Sequence, residues 1–322
     1  MIKLKKIEIG KLDANQRIDK FLSKSFKSLP LSMIYKSIRK KDIKINGKRC
    51  SQDTHLKVGD IVTLYLKDEF FEEKFSKYDF LKAPNKLDII YEDKNILLLN
   101  KKPGLIVHPD KNYHFDSLIA RIQRYLYEKG EYDPKDSHSF APSLVNRIDR
   151  NTGGIVIAAK NSESLKILNE KLKEREIKKF YLCIVYGTFS KKHNTLTAYL
   201  EKNESKNKVY IYKTQKEGTK TIKTKYKVLN ENNNFSLLEV ELLTGRTHQI
   251  RAHMAFIGHP LLGDGKYGKN SINKTLGYKW QALYSYKLQF NFDTPAGILS
   301  YLNNKTFIAP KTWFLDDFFK IN

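Results

Sequence analysis

Only two cysteines occur in the 322 residues, Cys50 and Cys183, and neither belongs to a His or Cys set with metal-ligand spacing. That excludes a disulfide framework and a cysteine zinc site, and the two read as indifferent thiols of a reducing compartment. No stretch approaches the roughly 20 apolar residues of a membrane span, and Met1 to Gly10 lacks the apolar core of a secretory signal. A soluble, cytoplasmic protein is expected. Acidic residues are outnumbered: 35 Asp and Glu face 59 Lys and Arg, for a net charge of +24. Such an excess implies an anionic partner, either nucleic acid or an acidic membrane. The membrane alternative lacks an amphipathic anchor and a lipidation signal.

Arginine is also scarce, with 10 residues, against which two clusters stand out. One is Asn146-Arg147-Ile148-Asp149-Arg150-Asn151-Thr152-Gly153-Gly154, ahead of the apolar run Ile155 to Ala159. The other is Thr244-Gly245-Arg246-Thr247-His248-Gln249-Ile250-Arg251. Bias toward Lys, Asn and Ile in the coding genome accounts for part of the lysine excess. It does not gather arginines. A planar, permanently charged fork fits phosphate, carboxylate or a nucleobase.

The length leaves room for two domains. Residues 1–67, with a core at 15–67, read as a compact α+β module, residues 68–86 as a linker, and 87–322 as the larger domain. Ile18, Phe21, Leu22 and Phe26 recur at helical spacing, and Ser32 is placed to cap a second helix carrying Met33, Ile34 and Ile38. Lys36, Arg39 and Lys40 would face outward. Ile43-Lys44-Ile45 alternates like a strand, Asn46-Gly47 signals a hairpin, and Val58-Gly59-Asp60 leads into a further strand. Lys44, Lys48 and Arg49 extend the basic surface onto the hairpin. Residues 1–67 hold 17 Lys and Arg against 6 Asp and Glu, so this short module carries nearly half the net charge.

From Leu87 onward short strands alternate with few helices. A hairpin is expected around Glu92 to Asn95, helices at Ser117 to Leu126 and Ser162 to Glu176, and strands at Ile155 to Ala159 and Phe180 to Val185. Few crossover helices argue for an α+β domain with a large mixed, mainly antiparallel sheet.

Gly263-Asp264-Gly265-Lys266-Tyr267-Gly268 spells a dinucleotide fingerprint, but no clear strand precedes it, no apolar-periodic helix follows, and no acid stands about 20 residues on. A loop beside a cleft is the expectation. His248 and His253 are five apart, a poor spacing for metal, and no His-Glu-x-x-His occurs. Neither metal nor cofactor is therefore expected.

Two resemblances follow. Arg17-Ile18-Asp19-Lys20-Phe21-Leu22 and the Asn-Gly and Val-Gly-Asp turns make residues 15–67 similar to the RNA-binding module of the ribosomal S-four type, with Asp42 where that family often has Gly. The larger domain carries Lys102-Pro103-Gly104-Leu105-Ile106-Val107-His108, the Asp149 segment, Lys179-Phe180-Tyr181, and Thr244 to Arg251, in that order. This series resembles the RluA-type family of pseudouridine synthases, which isomerise uridine in RNA. Asn146, Ile148 and Gly153 replace the family's His, Leu and Ser.

The resemblance implies Asp149 as the catalytic carboxylate, Arg251 as its partner, and Tyr181 as an aromatic that stacks on the base and assists proton removal from C5. It also implies that Arg147 fills the gap left by an extruded nucleotide, while Arg246, Thr247, His248 and His108 contact substrate. Arg17, Lys36, Arg39, Lys40, Lys44, Lys48 and Arg49 would bind RNA. An isomerase acting on large-subunit ribosomal RNA is expected, with transfer RNA as the alternative substrate. The rival from another class is a non-catalytic RNA-binding or ribosome-assembly protein.

Overall fold

The computed structural model describes residues 2–26, 28–71, 78–109, 115–136 and 140–318. The N-terminal module contains β1 (Ile2–Glu8), α1 (Ile18–Ser25), α2 (Leu31–Arg39), β2 (Ile43–Ile45), β3 (Lys48–Arg49) and β4 (Ile61–Lys67). Its strands form an antiparallel sheet in the order β1-β4-β2-β3. Phe21, Leu22, Ile34 and Ile38 from the helices bury against Val62 and Leu64 of β4. Asn46 and Gly47 both have positive φ, 49° and 74°, the backbone twist of a two-residue hairpin loop.

Two local features depart from the sequence reading, and a third accounts for Asp42. β1 was not expected, because lysines interrupt its alternation; it forms by pairing with β4 from Ile2↔Lys67 to Glu8↔Ile61. Ser32 is not a cap: α2 starts at Leu31, and Pro30, extended at φ −63°, occupies the N-cap two residues earlier. The turn after α2 places Lys41, not Asp42, in the left-handed region at φ 66°. Asp42 donates its N–H to Ser37 O at 2.9 Å, so no glycine is needed at its position.

Within the expected linker, residues 72–77 lie outside the described residues, whereas Phe80 and Ala83 bury in the core of the larger domain. Arg124 donates to Leu81 O at 3.2 Å and Ala83 O at 2.7 Å. Among the described residues, hydrogen bonds that join the module to the larger domain include Phe140 N to the buried Asp13 Oδ1 and Ser162 Oγ to Ala14 O, both at 3.0 Å, and Asn15 Nδ2 to Glu163 Oε2 at 3.4 Å.

The larger domain runs β5 (Ile89–Glu92), β6 (Ile96–Lys101), α3 (Leu118–Glu128), β7 (Ser143–Leu144), β8 (Gly153–Ala159), α4 (Ser162–Lys173), β9 (Ile177–Tyr186), β10 (His193–Asn203), β11 (Lys208–Tyr212), β12 (Lys220–Glu231) and β13 (Phe235–Leu242). It continues with α5 (Gln249–Phe256), α6 (Asn270–Thr275), β14 (Leu283–Phe290), β15 (Thr306–Ile308) and α7 (Leu315–Phe318). One 11-stranded sheet follows the order β11-β10-β12-β13-β9-β14-β8-β6-β5, with β15 on β14 and β7 on β8. Among the described residues only β14 and β8 pair in parallel, as a mixed, mainly antiparallel α+β sheet requires.

Both faces of the central strands are covered, so they read as continuous apolar runs rather than alternations. Along β9, Tyr181, Cys183 and Val185 enter one core while Leu182, Ile184 and Tyr186 enter the other. Gly154 permits the close β8 and β14 contact: its φ is 108°, and a Cβ there would lie 2.2 Å from Ser285 O. α4 ends at Lys173, short of the expected Glu176. Arg175 turns left-handed at φ 65°, and Glu176 folds back to a buried ion pair with Lys171 at 2.7 Å. Among the described residues no helix is long and apolar enough to cross a membrane, and no group of three or more His, Cys, Asp or Glu could hold a metal ion.

Candidate active site

The sequence motifs converge on one cleft of about 900 Å³. Its lining includes His108, Arg147, Asp149, Tyr181, Arg246, Thr247, His248 and Arg251, all eight side chains nominated for catalysis or substrate contact. Asp149 lies in the loop between β7 and β8. Asn146 ties that loop to the sheet by accepting Ile157 N–H at 2.8 Å and donating to Ile155 O at 3.5 Å. Thr152 fixes the other end, accepting Gln281 Nε2 at 3.0 Å.

The loop after β6 is clamped to the Asp149 loop. Gly104 N donates to Arg150 O at 2.9 Å, and Arg150 Nε returns a bond to Gly104 O at 3.1 Å. Beneath them the buried Lys101 ammonium donates to the carbonyls of Lys102, Leu105 and Arg150 at 3.0, 2.8 and 2.9 Å. Burial pushes its pKa down to about 7, opposed by the nearby Asp149 charge.

Arg251, inward-facing on α5, bridges two carboxylates. Its Nη1 donates to Asp149 Oδ2 at 2.7 Å, while Nε and Nη2 grip Asp264 at 2.7 and 3.0 Å. The fixed fork of a guanidinium suits this arrangement. Burial works against the Arg251 charge, but the hydrogen bonds and charge of Asp264, joined by those of Asp149, hold its pKa above the ordinary arginine value. Burial likewise raises Asp264; Arg251 and the N–H groups of Lys266 and Tyr267 outweigh it and hold that carboxyl below the usual range. Asp149 is a quarter exposed, so one end of the network is buried and the other opens to the cleft.

Tyr181 lines the cleft from β9, and burial, reinforced by the Asp149 charge, pushes its phenol up to about 12. It is therefore neutral at pH 7. Arg147, Arg246 and Thr247 are exposed at the cleft, and Arg147 has no ion-pair partner among the described residues. His108 is exposed too; the cleft walls desolvate its ring in part, and that and the Arg147 charge lower its pKa.

Sequence reasoning missed Asp264, Lys101 and Gln281. The first had a visible signal, a lone acid among the glycines of 263–268. Those glycines shape a loop: Gly263 has φ 75°, and a Cβ there would meet Trp280 O at 2.0 Å. His253 is neither ligand nor cleft residue; it is buried with Nδ1 2.9 Å from Thr224 Oγ1.

In the N-terminal module Lys36, Arg39, Lys40, Lys48 and Arg49 are exposed along α2 and the β2–β3 hairpin. Lys44 is half-buried, its ammonium 5.7 Å from the Tyr65 ring centroid. Arg17 departs from this group, because its guanidinium is committed to the buried Asp19 at 3.1 and 2.9 Å.

A family model described as RNA pseudouridylate synthase matches residues 95–256, and an S4 domain model matches residues 16–62. An uncharacterized RNA pseudouridine synthase of Mycoplasma capricolum is 35% identical over 319 residues, covering 96% of this chain and 98% of that protein. A ribosomal large subunit pseudouridine synthase C of Buchnera aphidicola is 36% identical over 268 residues, covering 83% of this chain and 82% of its own length. The solved structure of human RNA pseudouridylate synthase domain containing 4 shares the fold, with a TM-score of 0.56 at 20% identity over 71% of this chain and 90% of that one. This chain belongs to the RNA pseudouridylate synthase family and carries an S4 domain ahead of its synthase domain.

Proposed function

We propose that this protein isomerises uridine to pseudouridine in large-subunit ribosomal RNA, with Asp149 as the reacting carboxylate. The observation that carries the reading is the Arg251 bridge, which sets a permanent cation 2.7 Å from Asp149 at the floor of an otherwise basic cleft. The substrate class is supported by relatives named as ribosomal large subunit pseudouridine synthase C and by the S4 domain. Action in the cytoplasm accords with the free thiols Cys50 and Cys183.

Isomerisation breaks the N1–C1′ bond, turns the uracil, forms C5–C1′, and moves the C5 proton to solvent while N1 regains one. A carboxylate beside C1′ and C2′ serves as nucleophile, as base, or as stabiliser of positive charge on the sugar. All three roles need its charge, which Arg251 complements. Tyr181, neutral with a pKa of about 12, suits stacking on the base and is a poor proton acceptor in the resting site. Arg147 lines the cleft, is exposed and has no ion-pair partner among the described residues, which suits a side chain that occupies the gap left by an extruded nucleotide. The basic face of α2 and the hairpin supplies phosphate contacts away from the cleft.

The test is turnover by purified protein on large-subunit ribosomal RNA. Asp149→Asn is expected to abolish pseudouridine formation while RNA affinity stays within a few-fold. Measurable turnover by that variant, free of wild-type enzyme, sinks the assignment. Binding without turnover by the wild type would point to the non-catalytic assembly role.

A further inference from the structure

Tyr267 sits in the glycine-bearing loop of residues 263–268, ahead of α6, and its side chain has no part in the site as described so far. Its Oη accepts the N–H of Val209, on β11, at 2.9 Å and lies 3.0 Å from His248 Nδ1. A phenol has one hydrogen and two lone pairs. Val209 N–H takes one lone pair and cannot accept, which frees the phenolic hydrogen for donation to Nδ1, the acceptor within its reach. A neutral imidazole that accepts at Nδ1 carries its own hydrogen on Nε2.

Nε2 points at the reaction centre. It lies 3.9 Å from Asp149 Oδ2, the same oxygen that accepts Arg251 Nη1 at 2.7 Å. A shift of under about 1 Å on substrate binding brings that N–H to hydrogen-bond distance. The backbone supports the aim: His248 is left-handed at φ 53°, a conformation costing a non-glycine residue about 1 kcal/mol or more, and it precedes the first turn of α5. Gln249 steadies the turn by accepting Arg246 N–H at 3.1 Å and Thr244 Oγ1–H at 2.8 Å. Tyr267 is itself braced, its N–H on Asp264 Oδ1 at 3.0 Å and its ring centroid 5.4 Å from the Arg251 guanidinium.

We propose that Tyr267 is a positioning residue whose hydroxyl holds His248 in the Nε2–H form, aiming a second hydrogen-bond donor at Asp149 and linking the β10–β11 hairpin to the reaction centre. The inference rests on Asp149 being the reacting carboxylate. The charged groups facing His248 are Asp149 and Asp264, which favour its protonation, and Arg251 and Lys266, which oppose it. Burial opposes it most, and the net effect is a pKa below the ordinary histidine value, so the neutral ring assumed here prevails at pH 7. The hairpin end of the linkage carries Lys202 and Asn207, which also line the cleft, and Lys266 Nζ donates to Asn207 O. RNA contacts on the hairpin would thus reach Asp149 through Val209, Tyr267 and His248.

The test begins with the intact wild-type protein, labelled with ¹⁵N-histidine, whose ring nitrogen shifts report the tautomer of His248. The Nε2–H form is expected; an Nδ1–H form overturns the proposal without any variant. Tyr267→Phe then keeps the ring over Arg251 and removes only the hydroxyl. It should give a mixture of tautomers, lower kcat about five- to tenfold, the worth of one hydrogen bond, leave KM within twofold, and move the acid limb of the kcat profile to higher pH. On a His248→Gln background the same change should cost no further activity. An unchanged tautomer in Tyr267→Phe, or a loss of kcat undiminished on the His248→Gln background, would make Tyr267 a packing residue. The tautomer is read in resting protein, so it stands apart from turnover by Asp149→Asn, which tests the assignment beneath it.

Discussion

The cleft and the N-terminal module use the same charged side chains in opposite ways. In the cleft, Arg251 is 8% exposed, and its guanidinium is divided between Asp149 and the fully buried Asp264. On α2 and the hairpin, Lys36, Arg39, Lys40, Lys48 and Arg49 are exposed and without ion-pair partners among the described residues. A buried pair is expensive to form and ruinous to split, because removing one partner leaves the other charged and dry. Free surface charges contribute almost nothing to folding, but they attract phosphate over a distance that salt shortens. One region uses charge to fix atoms; the other leaves it exposed to solvent, where the proposed function has it meet the RNA. Salt and substitution should therefore act on the two regions in different ways.

The largest effect is expected from Arg251→Met. It strands the buried Asp264 and removes the cation beside Asp149. Stability should fall by about 3–5 kcal/mol, most at neutral pH, where the stranded Asp264 is charged, and less in acid, where it protonates; turnover should fall by about 100-fold or more. Denaturant unfolding and rate–pH profiles measure both. Arg251→Lys should rescue little, because an ammonium cannot hold Asp264 with two donors and reach Asp149 as well. A stable, active Arg251→Met protein would dissolve the contrast between the regions.

An intermediate effect is expected from Lys36→Gln, Arg39→Gln and Lys40→Gln combined. Unfolding should be nearly unchanged, while RNA affinity falls and the slope of log affinity against log salt shrinks by about 0.7 for each lost single-strand phosphate contact. Titrations between low and physiological salt read this directly. If the slope holds, the module's basic face does not engage RNA.

The smallest effect at neutral pH, one that develops only in acid, concerns burial alone. His253, on the inner side of α5, has its pKa pushed down to about 4 by burial, against about 6.5 for a free histidine. Between those values the unfolded chain binds a proton that the folded chain refuses. Stability should consequently decline as pH falls from about 6.5 to 4, by up to about 1.4 kcal/mol per pH unit. His253→Gln should flatten that part of the curve, as measured by urea midpoints at several pH values.

The cleft was more legible in the sequence than the fold around it. Asp149, Tyr181, Arg251 and the substrate-contact candidates belong to short motifs whose residue types match their surroundings, and all of them line the cleft. Asp264 was hidden because its role depends on a buried fork from another element, a relation with no local pattern; the glycines around it suggested a nucleotide loop instead. Lys101 was hidden by composition, since one buried lysine looks like any other in a chain with so many. β1 was missed because its lysines fall on both sides of the alternation, and pairing with β4 determines its state. The end of α4 was misplaced because Glu176 continues the polar pattern of the helix while its side chain turns inward to Lys171. Each miss involves a partner distant in sequence or a side chain whose burial contradicts its polarity.

The central claim is that Asp149 converts uridine to pseudouridine in large-subunit ribosomal RNA. Its most direct test is a map of pseudouridines in cells lacking the gene, then supplied with the wild type or with Asp149→Asn. The account predicts that specific large-subunit positions lose pseudouridine on deletion, regain it with the wild type, and stay unmodified with Asp149→Asn even though that protein is present at normal levels. Restoration by Asp149→Asn, or losses confined to transfer RNA, would contradict it.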